Sequence, residues 1–215
     1  MRCVEIDTWH IRPDRVQELV ARVRAGDLIA LPTDTTWAVV CDPFQTEAAQ
    51  RLAALRTWMA GGADQAKAKG DRPMSLMCGD LATIGTYVLM EQPHFRLVRR
   101  ILPGPYTVLL PASREVPRQL RSKRREVGIR MPDHPVVQAL LAALEQPLLT
   151  TTARDDSGEL LAASPEVQSA LTGRVDTLVE TDPIWPEPST VIDCTDGPPR
   201  LVRAGRGEVD PAWEI

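Results

Sequence analysis

The segment Leu31–Pro43, LPTDTTWAVVCDP, constrains the fold of this chain more than any other stretch. Two strand-like runs, Leu28–Leu31 and Trp37–Cys41, flank a five-residue polar cluster with three threonines and one aspartate. Pro32 fixes φ and lacks an N–H, so it suits the end of a strand rather than its middle. A loop this short leaves no room for a helical crossover, which excludes a purely parallel, doubly wound sheet. It also presents the hydroxyls of Thr33, Thr35 and Thr36 beside the sheet, where small polar ligands are commonly held.

The rest of the chain alternates between helical and extended periodicity. Pro13–Ala25 places Val16, Leu19, Val20 and Val23 at helical spacing and ends at Gly26. Thr46 is the expected N-cap of a helix running to Leu55. The glycine- and charge-rich stretch Gly61–Asp71 reads as a loop, Met74–Cys78 as a short strand, and Asp80 as the cap of a helix to about Leu89. His94–Leu102 reads as a helix stopped by Pro103, and a Pro-Gly-Pro turn then opens strand Tyr106–Leu110. Val127–Met131 and Leu148–Thr152 read as strands, Val136–Leu144 as a helix, and Ser164-Pro165-Glu166 as a helix start. Thr190–Asp193 and Arg200–Val202 read as closing strands. The expected class is therefore α/β: a single domain over residues 1–215, with a mixed, twisted sheet flanked by helices.

Composition excludes several alternatives. With 215 residues and 43% hydrophobic content, the chain can bury one well-formed core. No run approaches the roughly 18 apolar residues of a membrane span, and the N-terminus has no apolar core of signal-peptide length. Cys3, Cys41, Cys78 and Cys194 are scattered, with no CxxC pair and no histidine at metal-ligand spacing. This fits free thiols in a reducing cytoplasm and no structural zinc site. The net charge of −4 conceals a basic block: Arg114, Arg118, Arg121, Lys123, Arg124, Arg125 and Arg130 face only Glu115 and Glu126, a local net of +5. Such a block is either a solvated loop or a polyanion-binding surface for nucleic acid.

No Walker A, GxGxxG, HExxH or GxSxG pattern occurs, so the commonest enzyme signatures are absent. Among the three histidines, His134 begins the Pro135–Leu144 helix and reads as structural. What remains is a set of hydroxyls and guanidinium groups at predicted strand ends: Thr33, Thr107, Arg130, Thr152, Arg154, Ser189, Thr190 and Arg203. These groups suit carboxylate and phosphate oxygens, and such a site can work by positioning and charge neutralisation without a covalent nucleophile.

Six blocks, PTDTTW, LPGPYTVLLP, VGIRMPDHP, PLLTTTARDDSGE, STVID and LVRAGRG, follow in the order of the motifs of the YrdC/YciO family, which the chain resembles from about residue 12 to 210. SLMCGDLATIGTYV and REVPRQLRSKRREVGIRMP are most similar to the YciO branch. The resemblance implies a twisted α/β sheet with a positively charged concave face that holds a nucleotide. It also implies synthesis of threonylcarbamoyl-AMP from L-threonine, bicarbonate and ATP with Mg2+, for tRNA modification. By position, Thr33, Arg130, Ser189 and Thr190 would hold the amino acid, while Thr107, Thr152 and Arg203 would line the nucleotide. The synthase branch carries a KxRP motif after its second helix and a (T/S)SAN motif before SGE. The aligned stretches here read Arg56-Thr57-Trp58 and Thr151-Thr152-Ala153-Arg154, which makes Arg56, Thr152 and Arg154 the altered catalytic positions. Lys67, Lys69 and Arg72 offer charge from the nearby loop. The alternative is a non-enzymatic protein that grips double-stranded RNA or tRNA through Arg118, Arg121, Lys123, Arg124 and Arg125.

Overall fold

Ten short strands hydrogen-bond into one sheet in the computed structural model, which describes residues 1–62, 74–117, 120 and 125–213. The strands are β1 (Arg2–Glu5), β2 (Ile29–Leu31), β3 (Ala38–Cys41), β4 (Ser75–Met77), β5 (Tyr106–Pro111), β6 (Glu126–Arg130), β7 (Leu148–Thr152), β8 (Thr177–Glu180), β9 (Thr190–Asp193) and β10 (Arg200–Arg203). Their order across the sheet is β1-β8-β2-β3-β7-β4-β6-β5-β9-β10. Pairs β1–β8, β2–β8, β4–β6 and β5–β9 are parallel and the others antiparallel, the mixed α/β sheet expected from the close-set strands.

The described helices are α1 (Pro13–Arg24), α2 (Thr46–Met59), α3 (Leu81–Tyr87), α4 (Gln92–Ile101), α5 (Pro135–Leu144) and α6 (Ser164–Leu171). Proline lies in the first turn of α1, α4, α5 and α6, where its missing N–H costs nothing. Asp80 caps α3 as expected, accepting from Thr83 N at 2.6 Å. At α2 the expectation is corrected: Gln45, not Thr46, is the N-cap, and it makes no side-chain cap bond. Its amide reaches back instead to Val23 O and Arg24 O at 3.3 and 3.0 Å. The same helix continues past Leu55 because Met59 is buried in the core. The stretch 63–73, including Lys67, Lys69 and Arg72, lies outside the described residues.

Strand alternation divides the sheet into two faces. On one, Leu28, Ala30, Trp37, Val39, Leu76, Val108, Ile129, Leu149, Leu178 and Ile192 pack under α2, α3, α4 and α6. On the other, Val4, Ile29, Leu31, Ala38, Val40, Met77, Leu148 and Val179 pack under α1 and α5, which also touch each other. No residue of β5, β6, β9 or β10 joins that second cluster. On this face those four strands offer Arg130, Thr107, Val191 and Arg203, so the sheet changes there from an apolar, helix-covered half to a polar half. The buried thiols of Cys41, Cys78 and Cys194 are free and are pushed up to about 12, chiefly by burial; Cys3 is free and exposed. No helix among the described residues is long and apolar enough to cross a membrane.

Candidate functional site

The loop after β2 closes on itself. Pro32 ends the strand, and Thr33 Oγ1 accepts from Thr35 N and Thr36 N, both at 3.2 Å, while donating to Thr36 O at 2.6 Å. The threonine side chain thus adds to the backbone bond from Thr33 N to Thr36 O at 3.2 Å that spans the same turn. All three threonines are buried, so their hydroxyls face protein rather than bulk water.

Arg130 ends β6 and fills the space against this loop. Its side chain is 7% exposed and that of Asp34 10%. Nη2 donates to Thr33 Oγ1 and to Asp34 Oδ1, each at 2.9 Å, and to Thr35 Oγ1. Burial pushes the guanidinium below its ordinary pKa, and the Asp34 carboxylate opposes that shift. Pairing here is incomplete: Arg130 Nε, Asp34 Oδ2 and His134 Nδ1 are all buried without a hydrogen-bond partner among the described residues. Buried polar atoms in proteins are rarely left so. His134 is the residue before α5, and burial lowers its pKa while the carboxylates of Asp34 and Asp133 oppose that shift.

The polar row continues across the sheet. Val108 faces Ile129, so Thr107 follows beside Arg130 on the same face. Thr107 Oγ1 and Ser189 Oγ share a hydrogen bond of 2.8 Å. Arg203 donates to Ser189 O from Nη2 at 2.7 Å and from Nε at 3.2 Å. Thr190, one residue before Val191, lies on the opposite face, where its Oγ1 donates to Gly207 O at 2.6 Å and accepts from Gly205 N at 3.0 Å, tying the 205–207 segment to β9. That segment needs glycine, because a Cβ at Gly207 would stand 2.5 Å from the Tyr106 ring. Thr152 lies opposite Ala38, on the face that carries Arg130.

The other expected residues lie apart from this row. Arg56 occupies the last turn of α2, on the helix that packs against the opposite face. Arg154 Nη1 donates to Gly158 O at 2.6 Å, so its guanidinium closes its own turn. Beyond it, a groove of about 710 Å³ runs between Trp58, Asp155, Leu161 and Glu166, sharing no residue with the Arg130 cluster. Trp58 is itself covered by Arg174, whose Cζ lies 3.9 Å from the ring centroid. Arg118, Arg121, Lys123 and Arg124 lie outside the described residues; Arg125 is exposed, with φ of 56°, at the entry to β6. Asp34 is not among the residues the sequence singles out, and His134 reads there as structural. Asp34 carries no local signal, because its partner Arg130 is 96 residues away. For His134 the signal is the spacing of four residues from a buried arginine, which only the structure makes meaningful.

The Sua5_yciO_yrdC family model, described as telomere recombination, matches residues 21–205. The uncharacterised protein YciO of Escherichia coli (strain K12) is 35% identical over 210 residues, covering 94% of this chain and 97% of YciO. The crystal structure of E. coli YciO superposes with a TM-score of 0.88 at 33% identity, over 98% of this chain and 99% of that one. Human threonylcarbamoyl-AMP synthase is 32% identical over 201 residues, which is 92% of this chain and 63% of the synthase. The crystal structure of P. abyssi Sua5 complexed with L-threonine has a TM-score of 0.82 at 24% identity, over 95% of this chain and 58% of that one, a likeness of fold.

Proposed function

The chain belongs to the Sua5/YciO/YrdC family, and on that premise we propose that it binds ATP and L-threonine and forms threonylcarbamoyl-AMP for tRNA modification. The observation that carries this reading is the buried Arg130 guanidinium at the border of the polar half-sheet. Three partners take up Nη2 while Nε has none among the described residues. A substrate carboxylate supplies the acceptor that Nε lacks, and a charge-assisted bond in a site shielded from water is stronger than one at the surface. Thr33, with Ser189 and Thr190 nearby, completes the amino-acid half. Thr107, Thr152 and Arg203 line the nucleotide half, and Arg56 and Arg154 stand at the altered motif positions.

The reaction needs no protein nucleophile. The threonine nitrogen bonds to the carbon of bicarbonate with loss of water. A carbamate oxygen then bonds to the α-phosphorus of ATP, and the bond to the bridging oxygen breaks as pyrophosphate departs. MgATP enters as substrate, and guanidinium groups offset the charge that grows on the leaving pyrophosphate. The relative named as human threonylcarbamoyl-AMP synthase supports this chemistry, and the Sua5 structure with L-threonine supports the amino acid. The test is a product assay with MgATP, threonine and labelled bicarbonate. Label in an adenylate with threonine-dependent pyrophosphate release is expected. Absence of product from protein that still binds ATP would overturn the reading.

A second reading is RNA binding through the basic block that ends at Arg125, and the exposure of Arg125 favours it. RNA affinity that falls steeply with salt is its expected signature, and a flat response would remove it.

A further inference from the structure

We propose that Asp34 holds the α-ammonium group of the amino-acid substrate and that His134 accepts the proton this group must lose before it can react; the inference rests on the amino-acid reading of the site. Among the described residues, Arg130 Nε, Asp34 Oδ2 and His134 Nδ1 are buried without a hydrogen-bond partner, the first two in one ion pair and the third four residues beyond Arg130. Their chemistry is complementary rather than random. Arg130 Nε is a donor in need of an acceptor. Asp34 Oδ2 is an acceptor in need of a donor, and a neutral imidazole nitrogen can act as either. An α-amino acid zwitterion offers an acceptor and a donor at the two ends of one carbon.

Asp34 is held for this role. Its Oδ1 is fixed by Arg130 at 2.9 Å, and its side chain is nine-tenths buried, so Oδ2 has a set direction. Leaving that oxygen bare costs about 1–3 kcal/mol, more for a charged group, and a bound ammonium removes the penalty. His134, the residue before α5 and four residues beyond Arg130, also has its Nδ1 buried without a partner among the described residues. Carbamoylation requires a free amine. One proton moves from the ammonium nitrogen to the imidazole, and the nitrogen lone pair becomes available to the incoming carbon. The charges of Asp34 and Asp133 favour the imidazolium so formed and oppose the effect of its burial. Burial keeps the resting imidazole neutral at neutral pH, as a proton acceptor requires.

The test compares L-threonine with 2,3-dihydroxybutyrate, in which a hydroxyl replaces the amine, by calorimetric titration of the full chain with MgATP present. The intact protein is expected to prefer threonine by roughly tenfold or more, as sites built around a buried hydrogen bond do. In Asp34→Asn, whose amide oxygen can still accept from Arg130, that preference should collapse towards unity with MgATP affinity unchanged. Equal binding of the two ligands by the intact protein, or a preference that survives Asp34→Asn, would overturn the proposal; the first outcome would mean that water alone serves these atoms. Should Asp34→Asn fail to fold, His134→Gln carries the test. The intact protein's rate of adenylate formation should fall on the acid side and that of His134→Gln should not, and the same fall in both would dismiss the histidine. If the intact protein forms no adenylate, the synthase reading fails by itself. The nitrogen resonances of the His134 ring then decide, shifting with threonine but not with the hydroxy acid if the proposal holds.

Discussion

Arg130 is a charge that the fold has taken out of water and must keep paired. Its Nη2 joins a carboxylate and two hydroxyls from one loop, and the sequence separations of 95 to 97 residues make the cluster a long-range clasp. Removing one member of a buried pair costs more than the pair contributes, because the survivor keeps its desolvation penalty. Arg130→Ala should therefore lower unfolding stability by about 3–5 kcal/mol, read from the urea midpoint at constant slope. Arg130→Lys keeps the charge but offers no planar fork, so it should recover only part of that loss. A drop of less than about 1 kcal/mol for the alanine variant would mean that Asp34 finds water or another donor once the arginine is gone. Thr33 and Arg130 are both visible in the sequence as polar residues ending apolar runs. Asp34 is not, because nothing local distinguishes a loop aspartate facing solvent from one facing a guanidinium 96 residues away.

Elements with a covalent or capping signal are the ones a linear reading locates well. Prolines mark the starts of α1, α4, α5 and α6, and Asp80 marks α3. Asp80→Ala should cost about 1 kcal/mol, and the cost should depend on pH. Bonds from the Thr83 amide and hydroxyl hold its carboxyl below the ordinary value of 3.8, so the cap contributes fully above that value. It disappears as acid protonates the folded carboxylate, and the two proteins should converge in thermal stability in strong acid. Strands β1 and β8 escaped the same reading for a physical reason. β1 buries only Val4 of its four residues, so it shows no usable alternation. β8, TLVE, is short and central, and its continuous burial comes from neighbours on both sides rather than from a pattern of its own.

The whole molecule is a sheet whose neighbours in space are seldom neighbours in sequence. β8 lies between β1 and β2, β7 between β3 and β4, and β9 completes the edge of β5. A fragment of residues 1–176 lacks β8, which separates β1 from β2, together with β9 and its Ser189 neighbour on Thr107. Such a fragment should show no cooperative unfolding transition by circular dichroism, whereas a chain shortened only at the β1 edge should keep one. The polar half-sheet was foreseeable as a set of residues, but its continuity was not, since it depends on the β5–β6 and β5–β9 registers.

The position of β8 also bears on how the molecule is made. A ribosome delivers the chain from its N-terminus, and β1 and β2 emerge more than a hundred residues before the strand that joins them. Until then their apolar edges stand open, and loop closure must wait for distant partners. The nascent polypeptide is thus exposed to aggregation for most of its synthesis, with demand for a holding chaperone greatest just before β8 appears. The same delay means that no premature termination product before β8 can carry a working half of the site.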